Sequence, residues 1–431
     1  MQKENLIVSK VKGVNDIFAP NIYLWQEVEQ TAASLFELYN YSEIRTPTFE
    51  KSQLFNRSIG EGSDIVEKEL YSFKDRGDQL LALRPEGTAS VARAVIEQKL
   101  LSLQQPLKLF YHGSMFRAER PQANRFREFH QIGAECFGMA TPLAEVELIL
   151  ILVEFLNRIN LKSFTLLLNS LGCNKCREPY KVALAKYLES VKDALCESCQ
   201  ARMQKNVLRT LDCKKSSCKT VLADGPLIDK YRCLECESDF EFITSSLSNF
   251  NIDFTVDPKL VRGLDYYNKT AFEVVSDQLG SQDALAGGGR YDLLVEQLGG
   301  TPTEAVGFAI GLERVISILL EQRSDELKLT SAAADLDLVI LIFVKEAGEL
   351  GLKIGQLAIA ANYRRTIIEV TGKSMKSIMR SANKSNAKVA ILIGSDELTQ
   401  NKVTIKNMRS GEQDLISFDK IQDRLATFLS K

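Results

Sequence analysis

The chain carries only two histidines, His112 and His130, in 431 residues. A Ser–His or Cys–His nucleophile scheme is therefore disfavoured, and no H-E-x-x-H motif is present to hold a catalytic metal. Both histidines sit in strand-like patterns and read as packed residues. No apolar run reaches the roughly 18 residues of a membrane span, so no membrane partner is expected. The first residues, MQKENLIVSKVKG, lack the apolar stretch of a secretory signal, which makes the cytoplasm the expected compartment. Internal repeats and low-complexity tracts are absent. The one glycine run, AGGGRYD (Ala286–Asp292), matches neither the dinucleotide-binding nor the P-loop pattern, so neither fold is indicated. Charge of one sign is also missing in bulk: 54 Lys and Arg against 56 Asp and Glu leave a net charge of −2.

What remains is the composition of a soluble globular protein, 45% hydrophobic and 26% charged. The length exceeds one ordinary core, so two or three domains are expected. Cysteine is the residue in unusual supply. Cys136 stands alone in an apolar segment and reads as core. The other eight form four close pairs: Cys173/Cys176, Cys196/Cys199, Cys213/Cys218 and Cys233/Cys236. A reducing compartment disfavours disulfides. Eight thiolates suffice for two tetrahedral zinc sites. Free thiols are the alternative, and no glycine follows the pairs to turn the chain tightly.

Periodicity supplies the frame. Trp25, Val28, Ala32, Leu35 and Tyr39 recur at helical spacing across Asn21–Tyr41. YSEIRTPTF reads as a strand whose Pro47 confines it to an edge or interface. LLALRPEG, KLFYHGSMFRAE and FREFHQIGAECFG read as strands, the last two forming an antiparallel hairpin looped at Arg120–Arg125. A helix over Leu143–Asn157 follows, then the cysteine-rich stretch, which reads as an inserted helical subdomain. FTVDPKLVRGLDYYNKTAFEVVS resumes strand character, and VGFAIG leads into the helix LERVISILLEQ. The segment QRSDELKLTSAAAD reads as a linker. Beyond it LDLVILIFV, RTIIEV and KVAILIG alternate with helical patterns, the βαβ rhythm of a small mixed sheet.

Five short stretches carry candidate chemistry. FRAERPQANRFREFHQ gathers Arg117, Arg120, Arg125 and Arg127. Guanidinium forks fixed on a sheet suit polyphosphate, and a salt-bridged solvated hairpin is equally open. LRPEGT offers Glu86 and Thr88, which suit an ammonium group or a helix cap. In VRGLDYYNKT, Arg262 precedes a glycine. Adjacent Tyr266 and Tyr267 on a strand would face opposite ways, one lining a pocket and one packing. AGGGRYD lets backbone approach a ligand, or makes a tight turn. GFAIGLER places Arg314 in the first turn of a helix, where a cation opposes the dipole. An anion facing Arg314 would resolve that misfit.

Together and in this order, the motifs resemble the histidyl-tRNA synthetases, a family of class II aminoacyl-tRNA synthetases. RTPTFE, FRAERPQANRFREFHQ and VGFAIGLER are similar to the three class II motifs. LRPEGT, VRGLDYYNKT and AGGGRYD are similar to the histidine-specific elements. The resemblance covers essentially the whole chain. It implies an α+β fold: an antiparallel sheet flanked by helices over residues 1–325, with a helical insertion at 168–245. A linker at 326–334 and an α/β anticodon-binding domain at 335–431 would follow. It implies formation of histidyl-adenylate from L-histidine and ATP with Mg²⁺, then transfer of histidine to tRNA(His), by a homodimer.

By the same resemblance, Arg117 and Arg262 are the catalytic residues. Glu86, Thr88, Gln131, Glu135, Tyr266 and Tyr267 bind histidine. Arg117, Glu119, Arg125 and Arg314 bind ATP, with Arg117 on the α-phosphate and Arg314 on the γ-phosphate. The sequence departs from the family at Asn124 and Lys269, where glycine is frequent, and at Leu143, where an acidic residue is usual. The alternative is a non-catalytic relative, the synthetase-like regulatory subunit of ATP phosphoribosyltransferase, which generally lacks the C-terminal domain and RGLDYY. Residues 351–410 hold eleven Lys and Arg against three Asp and Glu, an excess of +8, which suits a phosphate backbone.

Overall fold

The computed structural model describes residues 8–60, 63, 65–122, 124–280, 284–323, 336–369, 375–384 and 386–429. Contacts divide the chain into two compact units, one built on residues 22–321 and one on 322–431. The linker expected over 326–334 lies outside the described residues.

The first unit is organised by an eight-stranded sheet. Its strands are β1 (Ser42–Glu43), β5 (Leu107–Phe116), β6 (Glu128–Phe137), β7 (Thr165–Ser170), β8 (Thr255–Val256), β9 (Asn268–Val275), β10 (Ala284–Arg290) and β11 (Ala305–Gly311). They run in the order β1-β5-β6-β11-β10-β9-β7-β8. The interior is antiparallel, and parallel pairing occurs only where β1 meets β5 and β7 meets β8. A smaller sheet joins β2 (Phe49–Lys51), β3 (Ser72–Lys74) and β4 (Leu80–Leu83) in the order β2-β4-β3.

Alternation along the strands gives the large sheet two unlike faces. On one, Phe110 and Phe308 pack against Phe36 of helix α1 (Asn21–Leu38) with ring centroids 5.0 and 6.2 Å apart. On the other, Tyr111, Phe137, Tyr266, Tyr267 and Tyr291 form a buried cluster with Val91 and Val95 of helix α3 (Thr88–Glu97).

The insertion is helical, as its pattern suggests. It comprises α5 (Asn174–Ser190), α6 (Glu197–Lys205), α7 (Ser216–Ala223) and α8 (Leu234–Asn249), with Tyr180, Leu184, Leu188 and Leu222 in its own core. The second unit is a mixed five-stranded sheet. Strands Leu338–Ile342, Arg365–Glu369 and Val389–Ile393 pair in parallel, and Lys402–Asn407 and Gln413–Ser417 extend it antiparallel.

Four local expectations are corrected. YSEIRTPTF is two short strands, β1 and β2, with Pro47 in the break between them. Proline has no N–H for a ladder, and the carbonyl of neighbouring Thr46 accepts from Arg84 Nη1 at 2.9 Å instead. AGGGRYD is no turn: its glycines lie in β10, flanked by β9 and β11. RGLDYY is not a strand; it forms a turn entering β9, so Tyr266 and Tyr267 both point inward, their ring centroids 4.7 Å apart. His112 is exposed rather than packed. His130 is part-buried, edge-on to Trp25 with ring centroids 5.1 Å apart.

Candidate active site

The β5–β6 hairpin, the turn before β9, strand β10 and the start of α10 (Leu312–Gln322) converge on one cavity of about 190 Å³. Its floor is sheet stripped of side chains, with Gly287, Ala309 and Gly311 in the lining. Small residues here let backbone and guanidinium groups come close. Arg117, Glu119, Arg125, Gln131, Arg262 and Arg314 all line it. Gln131 Oε1 is buried without a hydrogen-bond partner among the described residues.

Each cation is held by the fold. Arg117 Nε donates to the Pro85 carbonyl at 3.1 Å, and its guanidinium lies 5.1 Å from the Phe129 ring centroid. Burial lowers its pKa, partly offset by Glu69 and Glu86. Arg262 pairs with Glu273 on β9 and sits 5.7 Å from the Tyr267 ring centroid. Burial opposes its charge, but Glu273 and the two tyrosines outweigh that and raise its pKa. Arg125 pairs with Glu119 and, at 3.3 Å, with Glu69. Arg314 Nη1 donates to the carbonyl of Ala284, the first residue of β10.

A second, buried cluster adjoins the cavity. Glu86 accepts from the backbone N–H of Thr88 at 2.7 Å and of Ala89 at 2.9 Å, so it caps α3. Thr88 Oγ1 donates to Glu135 at 2.6 Å, and the Tyr291 hydroxyl donates to the other oxygen of Glu135. The Tyr266 hydroxyl reaches Glu86 at 3.4 Å. Burial pushes Glu135 up to about 8, against the lowering bonds from Thr88 and Tyr291. Burial also raises Glu86, and its backbone bonds pull the other way. Two buried carboxyls thus share one cluster, and burial disfavours the charged form of each.

Of the expected residues, Arg117, Glu119, Arg125, Gln131, Arg262 and Arg314 meet in the cavity. Glu86, Thr88, Glu135, Tyr266 and Tyr267 meet in the buried cluster beside it. Arg262 lies over Tyr267, and Arg117 is near enough to Glu86 and Tyr266 to interact with them electrostatically. Glu86 of LRPEGT acts as the cap of α3, and its carboxylate also lies 3.4 Å from the Tyr266 hydroxyl.

Four residues escaped the sequence reading. Tyr111 lies against Gly87 and Gly133, where any Cβ would overlap its ring. Tyr291 is inside AGGGRYD, yet reading that run for its glycines passes over it. Glu273 sits in a plain strand pattern with no local signal at all. Glu313 adjoins Arg314 and anchors β6: its carboxylate accepts from His130 N at 2.9 Å and lies 2.8 Å from His130 Nδ1. Burial disfavours a charged His130, but Glu313 outweighs burial and raises the imidazole pKa.

The departures at Asn124 and Lys269 have a backbone reason. Their φ values are +57° and +45°, the left-handed region that glycine enters freely. Asn tolerates it, whereas Lys269 is held there by Glu235 and Asp239 of α8, 3.1 and 3.5 Å from its ammonium.

A family model described as histidyl-tRNA synthetase matches residues 13–315, and one described as an anticodon binding domain matches residues 337–427. A histidine–tRNA ligase of Halothermothrix orenii is 45% identical, over 94% of this chain and 96% of its own. One of Natranaerobius thermophilus is 42% identical, over 97% and 99%. The crystal structure of apo Staphylococcus aureus histidyl-tRNA synthetase superposes with a TM-score of 0.78 at 33% identity, covering 97% of this chain and all of that one.

Proposed function

This chain belongs to the histidyl-tRNA synthetase family, and from that membership we propose that it is a histidine–tRNA ligase. It activates L-histidine with ATP to histidyl-adenylate and pyrophosphate, then transfers histidine to the 3′ end of tRNA(His). The observation that carries the reading is the meeting of Arg117, Arg262 and Arg314 in one cavity beside the buried cluster of Glu86, Glu135 and Tyr266. Cations fixed on one side suit a polyphosphate. Buried carboxyls and tyrosine hydroxyls on the other suit an amino acid with a basic ring.

In activation, a histidine carboxylate oxygen bonds to the α-phosphorus while the bond to pyrophosphate breaks. Two anions must meet, so positioning and charge stabilisation dominate. Arg117 and Arg262 line the cavity and interact electrostatically with Glu86, Tyr266 and Tyr267 of the buried cluster, which supports a role at the point where the two substrates would join. Both are anchored before substrate arrives, so little reorganisation is needed. Arg314, Glu119 and Arg125 hold the rest of ATP. As part of the substrate complex, Mg²⁺ would supply charge neutralisation at the outer phosphates of ATP. Glu86 and Thr88 take the histidine ammonium. Gln131, Glu135, Tyr266 and Tyr267 hold its remaining polar atoms. No protein nucleophile is called for.

Residues 1–325 serve as catalytic domain, with 168–245 inserted, and residues 335–431 bind the anticodon, where the +8 excess attracts RNA. A homodimer is supported by Phe49, Phe73 and Leu80, three large apolar residues left exposed on the β2-β4-β3 sheet. No described helix is long and apolar enough to cross a membrane, and the cytoplasm supplies both ATP and tRNA. The regulatory-subunit reading is disfavoured by the anticodon-domain match at 337–427 and by RGLDYY at Arg262–Tyr267.

The test is aminoacylation by purified protein with ATP, tRNA and each amino acid in turn. Histidine alone should charge. Absent charging with histidine, or equal charging with another amino acid, rejects the reading.

A further inference from the structure

The eight paired cysteines have no part in the chemistry above, yet the fold gathers them into two sets of four. Cys173 and Cys176 meet Cys233 and Cys236, and Cys196 and Cys199 meet Cys213 and Cys218. The connection is nested, first pair with fourth and second with third. Within each set the sulfurs lie within 4.8 Å of one another. The Sγ separations are 3.7 Å for Cys173–Cys176, 3.9 Å for Cys173–Cys233 and 3.9 Å for Cys196–Cys213. Four sulfurs at about 2.3 Å from a tetrahedral zinc stand about 3.8 Å apart. A disulfide would need about 2.05 Å, so all eight are free thiols.

Local structure also suits thiolates. Cys173, Cys196 and Cys233 are the residues capping the N-termini of α5, α6 and α8, and Cys218 lies within α7. Helix N-termini favour negative charge. Backbone N–H groups donate across each set: Cys173 N to Cys236 Sγ at 3.3 Å, Cys233 N to Cys176 Sγ at 3.1 Å, and Cys196 N to Cys218 Sγ at 3.3 Å. The first two are reciprocal, each pair capping the other. Such bonds orient thiolate ligands around a metal. A tight turn at glycine lies before one of the pairs rather than after it. Gly172 has φ +67°, and a Cβ there would overlap Cys176.

We propose that each set binds one Zn²⁺ through four thiolates, and that the outer site fixes the turn bearing Tyr266 and Tyr267. The thiol protons pass to solvent as zinc binds. The outer set joins the end of β7 to the first turns of α5 and α8. Both helices grip the segment entering β9. Arg177 of α5 donates to the Tyr267 carbonyl at 2.9 Å, Glu235 of α8 pairs with Lys269, and Lys269 N donates to the Gly172 carbonyl at 3.1 Å. The inner set, Cys196, Cys199, Cys213 and Cys218, lies within the insertion's own core. The positioning role of the outer site rests on the function proposed above; the metal sites do not.

The experiment is metal analysis of the full chain, purified without chelator and after exchange into Co²⁺. Two zinc ions per chain are expected, and the cobalt form should show thiolate charge-transfer and tetrahedral d–d bands. Cys196→Ser with Cys199→Ser should leave one zinc and an unchanged KM for histidine in pyrophosphate exchange. Cys233→Ser with Cys236→Ser should also leave one zinc and raise that KM about tenfold, with the KM for ATP little changed. Eight thiols reacting freely in the folded wild-type chain, with no metal bound, overturns the proposal, even where the variants fail to fold. An outer-set variant that loses zinc yet keeps its KM overturns the positioning role. A chain that binds two zinc ions but does not activate histidine refutes the function and leaves the sites standing.

Discussion

The Arg262 guanidinium lies against the backbone of Gly287, so closely that a Cβ on residue 287 would overlap it. The glycine run of β10 is therefore the seat of a cation rather than a tight turn. Gly287→Ala should push Arg262 off that seat while leaving β10 paired, because the overlapped atoms are the far end of a side chain. The rate of histidine-dependent pyrophosphate exchange should fall about 100-fold, the scale of losing a pre-organised charge. Thermal unfolding should shift little. An unchanged exchange rate would remove Arg262 from the reacting centre, and Arg262→Ala, expected to fold and to be at least as slow, provides the reference.

Much of this site is legible in the sequence because its chemistry comes in contiguous motifs. Arg117, Glu119 and Arg125 share one hairpin loop, and strand alternation from β6 places Gln131 and Glu135 on one face. What stays hidden depends on packing across long separations. Glu273 gives no sign of being the partner of Arg262 until the turn at Gly263–Tyr267 folds back. Tyr111 and Tyr291 look like ordinary strand aromatics until Gly87, Gly133 and Thr88 are brought beside them. Pattern also misreads β10, since glycine signals a turn by its usual frequency. Only the neighbours of Gly287, Gly288 and Gly289 explain three glycines mid-sheet.

The buried Glu135 makes a pH prediction. Its carboxyl is pushed up to about 8 in the folded chain, against about 4.3 when unfolded. Between those values the folded form holds more protons, so stability falls as pH rises through the window. Below the window Glu135 contributes nothing, and above it the full penalty stands. Glu135→Gln keeps partners for Thr88 and Tyr291 but cannot ionise. The melting temperature of the ligand-free variant should fall less than that of the wild type between about pH 5 and pH 8. Parallel profiles would show that Glu135 titrates normally.

Asn124 offers a test of backbone strain beside the cavity. At φ +57° a β-branched side chain costs more than about 1 kcal/mol relative to Asn or Gly. Its carbonyl accepts from Arg314 Nε at 3.4 Å. Asn124→Gly should leave pyrophosphate exchange near wild type. Asn124→Val should raise the KM for ATP several-fold by moving that carbonyl, with the KM for histidine little affected. Equal constants for both variants would mean that the loop's conformation does not govern ATP binding.

Phe49 and Phe73 bear on assembly. Their rings pack at 6.4 Å on the small sheet, yet they remain 54% and 44% exposed. In the proposed homodimer, a paired apolar surface of this kind would pack against the second copy. Phe49→Asp with Phe73→Asp should yield monomers in analytical ultracentrifugation where the wild type sediments as a dimer. A wild-type monomer, or a variant that still dimerises, would place the interface elsewhere.

Arg290 closes AGGGRYD's account and separates stability from chemistry within one motif. Its side chain is 1% exposed and pairs with Glu145 of α4 (Leu143–Arg158), which is equally buried, while also donating to the Met139 and Thr141 carbonyls at 3.1 Å. Arg290→Met leaves Glu145 buried without its cation, which costs about 3–5 kcal/mol. Arg290→Met with Glu145→Gln removes the stranded charge and should recover much of that loss, because a buried ion pair gains little over a neutral, well-packed replacement. The two carbonyls and the part-buried Asp292 carboxylate, 3.3 Å from Arg290 Nη1, lose that partner in either variant and set the residual deficit. Urea unfolding midpoints measure all three chains. Additive losses in the double variant would mean that Arg290 stabilises through the carbonyls rather than through Glu145.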